Sequence, residues 1–349
     1  MDFSKKDAKM TKGLAAVCMV VLHLFCRTGA DVFGKPLIWL NAETPFVFWF
    51  GFFAEICVPL YSMCAGYAQQ YLYAAKKTGL KATLGRIGRL MLNYYLVLGL
   101  FTAICLCIGN DHMPGSWSKL LKSMLLLDSY NGAWWYLNTY IICLLIPASI
   151  LLFPVRKMGV GMGIVGCFGL QVLVYLLNRF GVLTALEING VLGFIAKEVK
   201  NLLNVLPYFW LGAFLCKGSV LAHARTWWQK QRYGGNPALL LMGIILFVMT
   251  NLIHKAVLVG CVALAAFLLF NLWKKGEFAE RVFLFLGDHS TNIWLTHMFF
   301  YMYVFEGLVV KAGYPVPMFL FMMLLCCITS YVIKGTQHML EKHVFRMMD

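Results

Sequence analysis

Apolar residues in this chain run in long, nearly unbroken blocks separated by short polar connections. About 20 apolar residues are needed to cross the hydrocarbon layer of a bilayer. Ten blocks approach or exceed that length: residues 13–30, 46–73, 90–109, 134–153, 159–177, 201–216, 237–253, 256–273, 289–308 and 316–334. Only His254 and Lys255 separate the seventh from the eighth, so these two also read as one broken segment. The blocks are too long and continuous for barrel strands, which leaves helices as the spanning form. The pattern predicts an all-α, polytopic integral membrane protein with about ten transmembrane helices, forming a single transmembrane domain over residues 1–349. Residues 120–127 and 182–196 are apolar but too short to span, and read as interfacial or re-entrant pieces. No internal repeat is evident, which disfavours inverted-repeat transporters.

Composition agrees. Of 349 residues, 61% are hydrophobic and 13% charged, against about 25% charged in a soluble domain. Mean hydropathy is +0.74. So few charges cannot cover a soluble globule with this much apolar side chain. A cytosolic enzyme, a disordered chain and a nucleic-acid-binding protein are therefore excluded. The twelve cysteines lie in or at the ends of apolar blocks with no C-x-x-C spacing, so they read as small hydrophobes. No metal site is expected.

The net charge of +15 matters through its distribution. Cations cluster in alternate connections: Lys5, Lys6, Lys9 and Lys12; then Lys76, Lys77, Lys81, Arg86 and Arg89; then Arg156 and Lys157. The same side gains Lys217, Arg225, Lys230 and Arg232, then Lys274, Lys275 and Arg281, and finally Lys334, Lys342 and Arg346. Nine of the thirty fall on the other side. The positive-inside rule then places both termini in the cytoplasm, in a multi-pass protein of the cell membrane. A cleaved signal peptide is the competing reading of residues 1–30. It is disfavoured because His23 interrupts the apolar run and no A-x-A site follows.

An ionisable group at membrane depth is costly, about 2.5–3.5 kcal/mol on insertion scales, and asks for a reason. His23 lies ten residues beyond Gly13, about 15 Å into a layer of about 30 Å. His297 lies eight residues into a block running in the same direction, at similar depth. Glu55, about ten residues into the second block, also reaches the middle. Each has a structural alternative. A neutral histidine can bond a backbone carbonyl or a threonine, and a carboxyl can be protonated or otherwise paired. Glu55 can also orient a histidine. Lys12 and His23 are eleven residues apart, about 20° past three full turns, so they share one helix face about 16 Å apart. Arg86 and Arg89, at i and i+3, are neighbours at the start of the third block. They read either as anchors to lipid phosphates or as a clamp on a phosphorylated ligand, since guanidinium binds phosphate through paired donors.

Five stretches in order resemble the acyltransferase-3 family of integral membrane O-acyltransferases. Residues 11–25, TKGLAAVCMVVLHLF, resemble the family's first helix, with Lys12 where an arginine precedes the histidine by eleven residues. VPLYSMCAGY at 58–67 is similar to V-P-L-F-x-x-x-S-G-Y, with Ala65 in place of serine. RIGRL at 86–90 matches R-x-x-R-L. WWYL at 134–137 resembles a W-F-L stretch, with Tyr140 near where many members have glutamate. LGDHSTNIWLTH at 286–297 resembles L-G-x-x-S-x-x-I-Y-L-x-H.

The resemblance implies transfer of an acyl group, usually acetyl, from cytoplasmic acyl-coenzyme A to a hydroxyl of an extracytoplasmic or lipid-linked carbohydrate of the cell envelope. Acyl-coenzyme A would be a substrate, with no cofactor held permanently, and the lipid bilayer the other partner. His23 would be the catalytic histidine, with His297 and Glu55 as further candidate catalytic groups. Lys12, Arg86 and Arg89 would bind the donor's phosphates. The residues themselves also admit a secondary transporter or flippase of an envelope precursor, or a binding subunit that has lost the chemistry.

Overall fold

The computed structural model describes residues 3–27, 33–183, 190–232, 235–253 and 255–344, the last four as backbone only. Residues 28–30 of the first block, 184–189, His254 and Arg346 lie outside the described residues. Among the described residues the regular structure is helical with no strand, and Trp39 and Pro45 form a lone antiparallel bridge. In chain order the longer helices are α1 (Lys5–Phe25), α2 (Val47–Ala74), α3 (Leu80–Ile108), α4 (Trp135–Leu145), α5 (Val160–Arg179), α6 (Val191–Lys217), α7 (Asn236–Ile253), α8 (Ala256–Leu272), α9 (Glu277–Met298) and α10 (Pro315–Val344).

Seven of these, α1 to α3, α5 to α7 and α10, are long and apolar enough to cross a membrane. The other three of the ten sequence blocks fall short for separate reasons. The fourth block is broken because Ile146 precedes Pro147, and the residue before a proline is pushed out of the helical region; short helices Ala148–Leu151 and Phe153–Lys157 follow. Helix α8 is shorter than the seven. Helix α9 carries Glu277, Glu280, Arg281 and Asp288. Helix α2 is interrupted by a 3₁₀ turn at Ala54–Ile56. Pro59 has no N–H to offer the Glu55 carbonyl, so the regular bond is missing there.

The chain divides into two compact units. Unit 1 comprises residues 1–19, 52–79 and 139–288, and within it α6 packs along α2. The first part of α1 meets the first part of α9 at two glycines. A Cβ added at Gly13 would stand 2.4 Å from the Phe283 carbonyl oxygen, and one at Gly287 would stand 2.1 Å from that of Lys9. Only hydrogen at both positions lets the backbones come this close, as at small-residue contacts between membrane helices. Lys9 pairs with Asp288 at 2.7 Å, Lys6 with Glu280, and Arg225 with Asp7 at 3.4 Å. Part of the N-terminal positive charge is thereby neutralised within the protein.

Unit 2 comprises residues 20–51, 80–138 and 289–349, with α10 packed on α3. Phe101 stacks on Phe299 at 4.2 Å. A cavity of about 690 Å³ is walled by apolar side chains, among them Val21, Phe25, Phe50 and Phe319.

Candidate active site

His23 and His297 both belong to unit 2, where His23 Nδ1 lies 3.0 Å from His297 Nε2. His297 is fully buried and His23 half-buried. The other ring nitrogen of His297, Nδ1, faces the carbonyls of Trp294 at 2.8 Å and Ile293 at 3.1 Å. A carbonyl only accepts, so Nδ1 carries the proton and Nε2 of the neutral ring is an acceptor. The bond between the rings is then donated by His23 Nδ1. Neutral His23 is left with its lone pair on Nε2, the tautomer of a general base.

The segment that carries His297 is held by backbone carbonyls on both sides. Trp134 Nε1 donates to the Leu295 carbonyl at 2.9 Å, and Asn131 Nδ2 donates to the same oxygen at 3.3 Å. Trp294 Nε1 donates in return to the Ala133 carbonyl at 2.8 Å. A π-helical turn, Phe299–Tyr303, follows directly; such turns recur at functional sites because they re-aim side chains.

A second polar group lies deeper in unit 2. His289 Nδ1 is 2.7 Å from Ser330 Oγ, which also accepts from Asn292 Nδ2 at 2.9 Å. Asn93 Nδ2 donates to Asn292 Oδ1. Thr296 Oγ1, one turn above Asn292, donates to its carbonyl at 2.7 Å. His289, Asn292, Thr296, Ser330 and Asn93 are all buried. Sequence reasoning passed over this group. Its signal was present as polar positions 289, 292 and 296, whose spacing of three and four puts them on one helix face.

The remaining candidates sit as follows. Arg86 and Arg89 are on the first third of α3, in unit 2 with the histidines. Arg86 is half-buried, its Nη2 donating to Thr83 Oγ1 at 3.2 Å and its Nε to the Ala82 carbonyl at 3.3 Å; Arg89 is exposed. Asn93 is one turn beyond Arg89 on that helix, so α3 links the arginine pair to the buried polar group. Lys12 is exposed on α1 in unit 1. Glu55 is also in unit 1, lining a cavity of about 20 Å³ with Thr250 and Lys255. Orientation of His297, one role expected for a carboxylate, is supplied by the Trp294 and Ile293 carbonyls. Neither this cavity nor the larger one in unit 2 is lined by Arg86, Arg89 or His23. Among the described residues no three His, Cys, Asp or Glu side chains are grouped to hold a metal ion.

No curated protein and no solved structure matches the chain. A family model described as an acyltransferase domain matches residues 8–335, nearly the whole length, and takes in both histidines and the arginine pair. With its apolar helices, the chain is a multi-pass membrane acyltransferase, and it belongs to the acyltransferase-3 family.

Proposed function

We propose that the protein transfers an acyl group, acetyl in the simplest case, from acyl-coenzyme A to a hydroxyl of an extracytoplasmic or lipid-linked carbohydrate of the cell envelope. The observation that carries this reading is the His23–His297 bond, whose direction leaves a basic nitrogen on His23. In the reaction, His23 Nε2 takes the proton of the acceptor hydroxyl as its oxygen attacks the thioester carbonyl. The tetrahedral adduct collapses, the C–S bond breaks, and the imidazolium returns the proton to the leaving thiolate. An ester and free coenzyme A are formed. His297 is a positioning residue. It holds the His23 ring through Nδ1–H and accepts more strongly from that N–H while His23 is cationic.

The donor side follows from charge. With both termini in the cytoplasm, Lys12 and the Arg86/Arg89 pair stand on the cytoplasmic side, where the phosphates of coenzyme A are available. Arg86 and Arg89 hold the phosphates, and Lys12 supplies charge without the planar fork of arginine. Asn93 follows Arg89 by one turn on α3, and Asn292 and Thr296 precede His297 on α9.

The test is coenzyme A release from acetyl-coenzyme A by the purified protein in lipid nanodiscs, alongside mass spectrometry of envelope glycans from cells with and without the gene. Thioester consumption together with one lost acyl mass supports the reading. A protein that binds the thioester but never cleaves it, with glycans unchanged, overturns it.

A further inference from the structure

Arg27 stands four residues beyond His23, and Tyr301 four residues beyond His297. These two residues also meet. The Arg27 guanidinium carbon is 4.3 Å from the centroid of the Tyr301 ring. Both pairs lie in unit 2 and follow one another along the same two chain segments, like rungs. Along the sequence, Arg27 follows His23 and Lys12 precedes it.

Arg27 is half-buried, and its contacts do not match its charge. Its Nη2 is 3.5 Å from Met302 Sδ, a weak acceptor. The tyrosine ring attracts the cation through its face. Among the described residues no carboxylate lies within ion-pair distance of it. A guanidinium has five N–H donors in a planar fork suited to two oxygens of one anion. Here the fork rests on an aromatic ring four residues beyond the basic histidine, and among the described residues its contacts are that ring and the Met302 sulfur.

We infer that Arg27 is an anion-binding subsite for the acyl acceptor, which would carry an oxyanion, phosphate or carboxylate, about one sugar ring from the hydroxyl that is acylated. This deepens the proposed transferase reading and rests on it for the identity of the bound molecule as acceptor. Phosphate would come from a glycosyl phosphate, carboxylate from an acidic sugar. The recognition chemistry is shared.

The test is direct binding by the full-length protein in nanodiscs, with methyl glucoside, methyl glucuronide and glucose 1-phosphate as probes. At least one charged probe should bind about tenfold more tightly than the neutral glucoside, the size of one good charge-assisted contact. Whichever charged probe shows the preference identifies the source. Arg27→Gln should remove the preference and Arg27→Lys should keep part of it. The ratio is taken within each variant, so a general loss of folded protein cancels. Equal binding of all three probes by the wild-type protein, or a preference that survives in Arg27→Gln, overturns the inference. A preference that depends on Arg27 in a protein that never cleaves acetyl-coenzyme A would uphold the anion site and remove the transferase reading instead.

Discussion

His23 Nδ1 and His297 Nε2 are 3.0 Å apart, and each histidine lies ten residues beyond a glycine where its helix runs tightly against the other. Gly13 and Gly287 bring α1 and α9 together in unit 1, and the hydrogen-bonded rings belong to unit 2. A pair of this kind sets the tautomer of its half-buried member through the carbonyls that fix His297.

Removing the base and removing its support should therefore differ. His23→Ala should abolish coenzyme A release, a loss of about 10²–10⁴-fold for a general base. His297→Leu should cost less and act on kcat. His297→Gln should recover part of that loss, because its side-chain carbonyl can accept from His23 Nδ1–H. Steady-state kinetics of the three variants decide it, and equal damage from Leu and Gln at 297 would remove the positioning role.

The glycine contact predicts a stability effect. Gly287→Ala puts a methyl 2.1 Å from the Lys9 carbonyl oxygen, where only backbone can give way. Forced overpacking of this kind costs about 1–3 kcal/mol. A lowered Tm in detergent is the expected result, with Gly276→Ala, where added Cβ meets nothing within 4 Å, as the tolerated control.

Arg86→Ala should raise KM for acetyl-coenzyme A with a smaller change in kcat, the signature of lost ground-state binding. Lys12→Arg should lower KM if that position also meets phosphate, because the planar fork is restored. Initial rates across donor concentration separate these effects. An unchanged KM in Arg86→Ala removes the phosphate clamp.

Lys275, in the connection between α8 and α9, predicts a pH dependence. Burial against Phe270 and Trp273 pushes its pKa down to about 8 from 10.5; Asp7 and Glu280 oppose the shift and Arg225 adds to it. A lysine with a depressed folded pKa loses its proton in the folded state while the unfolded chain still holds it. Stability should therefore rise between pH 8 and 10.5 and be level for this group below that window. Thermal unfolding of Lys275→Met should lack that rise.

Much of this molecule is dictated by local chemistry. The ten apolar blocks, the interruption one turn before Pro59 and the break at Pro147 follow from hydropathy and the missing proline N–H. Whether each block spans is decided less locally. The fourth is cut by Pro147, and the helix that carries the first part of the ninth begins earlier, with acids that pair with Lys6 and Lys9.

The site divides in the same way. Sequence singled out His23, His297, Arg86 and Arg89, because a charge at membrane depth or a paired guanidinium is conspicuous in one dimension. It could not show that the two histidines bond each other, that carbonyls orient His297, that Ser330 joins Asn292 and His289, or that Arg27 rests on Tyr301. Those partners are separated by 38 to 274 residues apart from the carbonyls within α9. Spacing along a helix fixes which face a side chain occupies, but only the packing of one helix on another decides what that face meets.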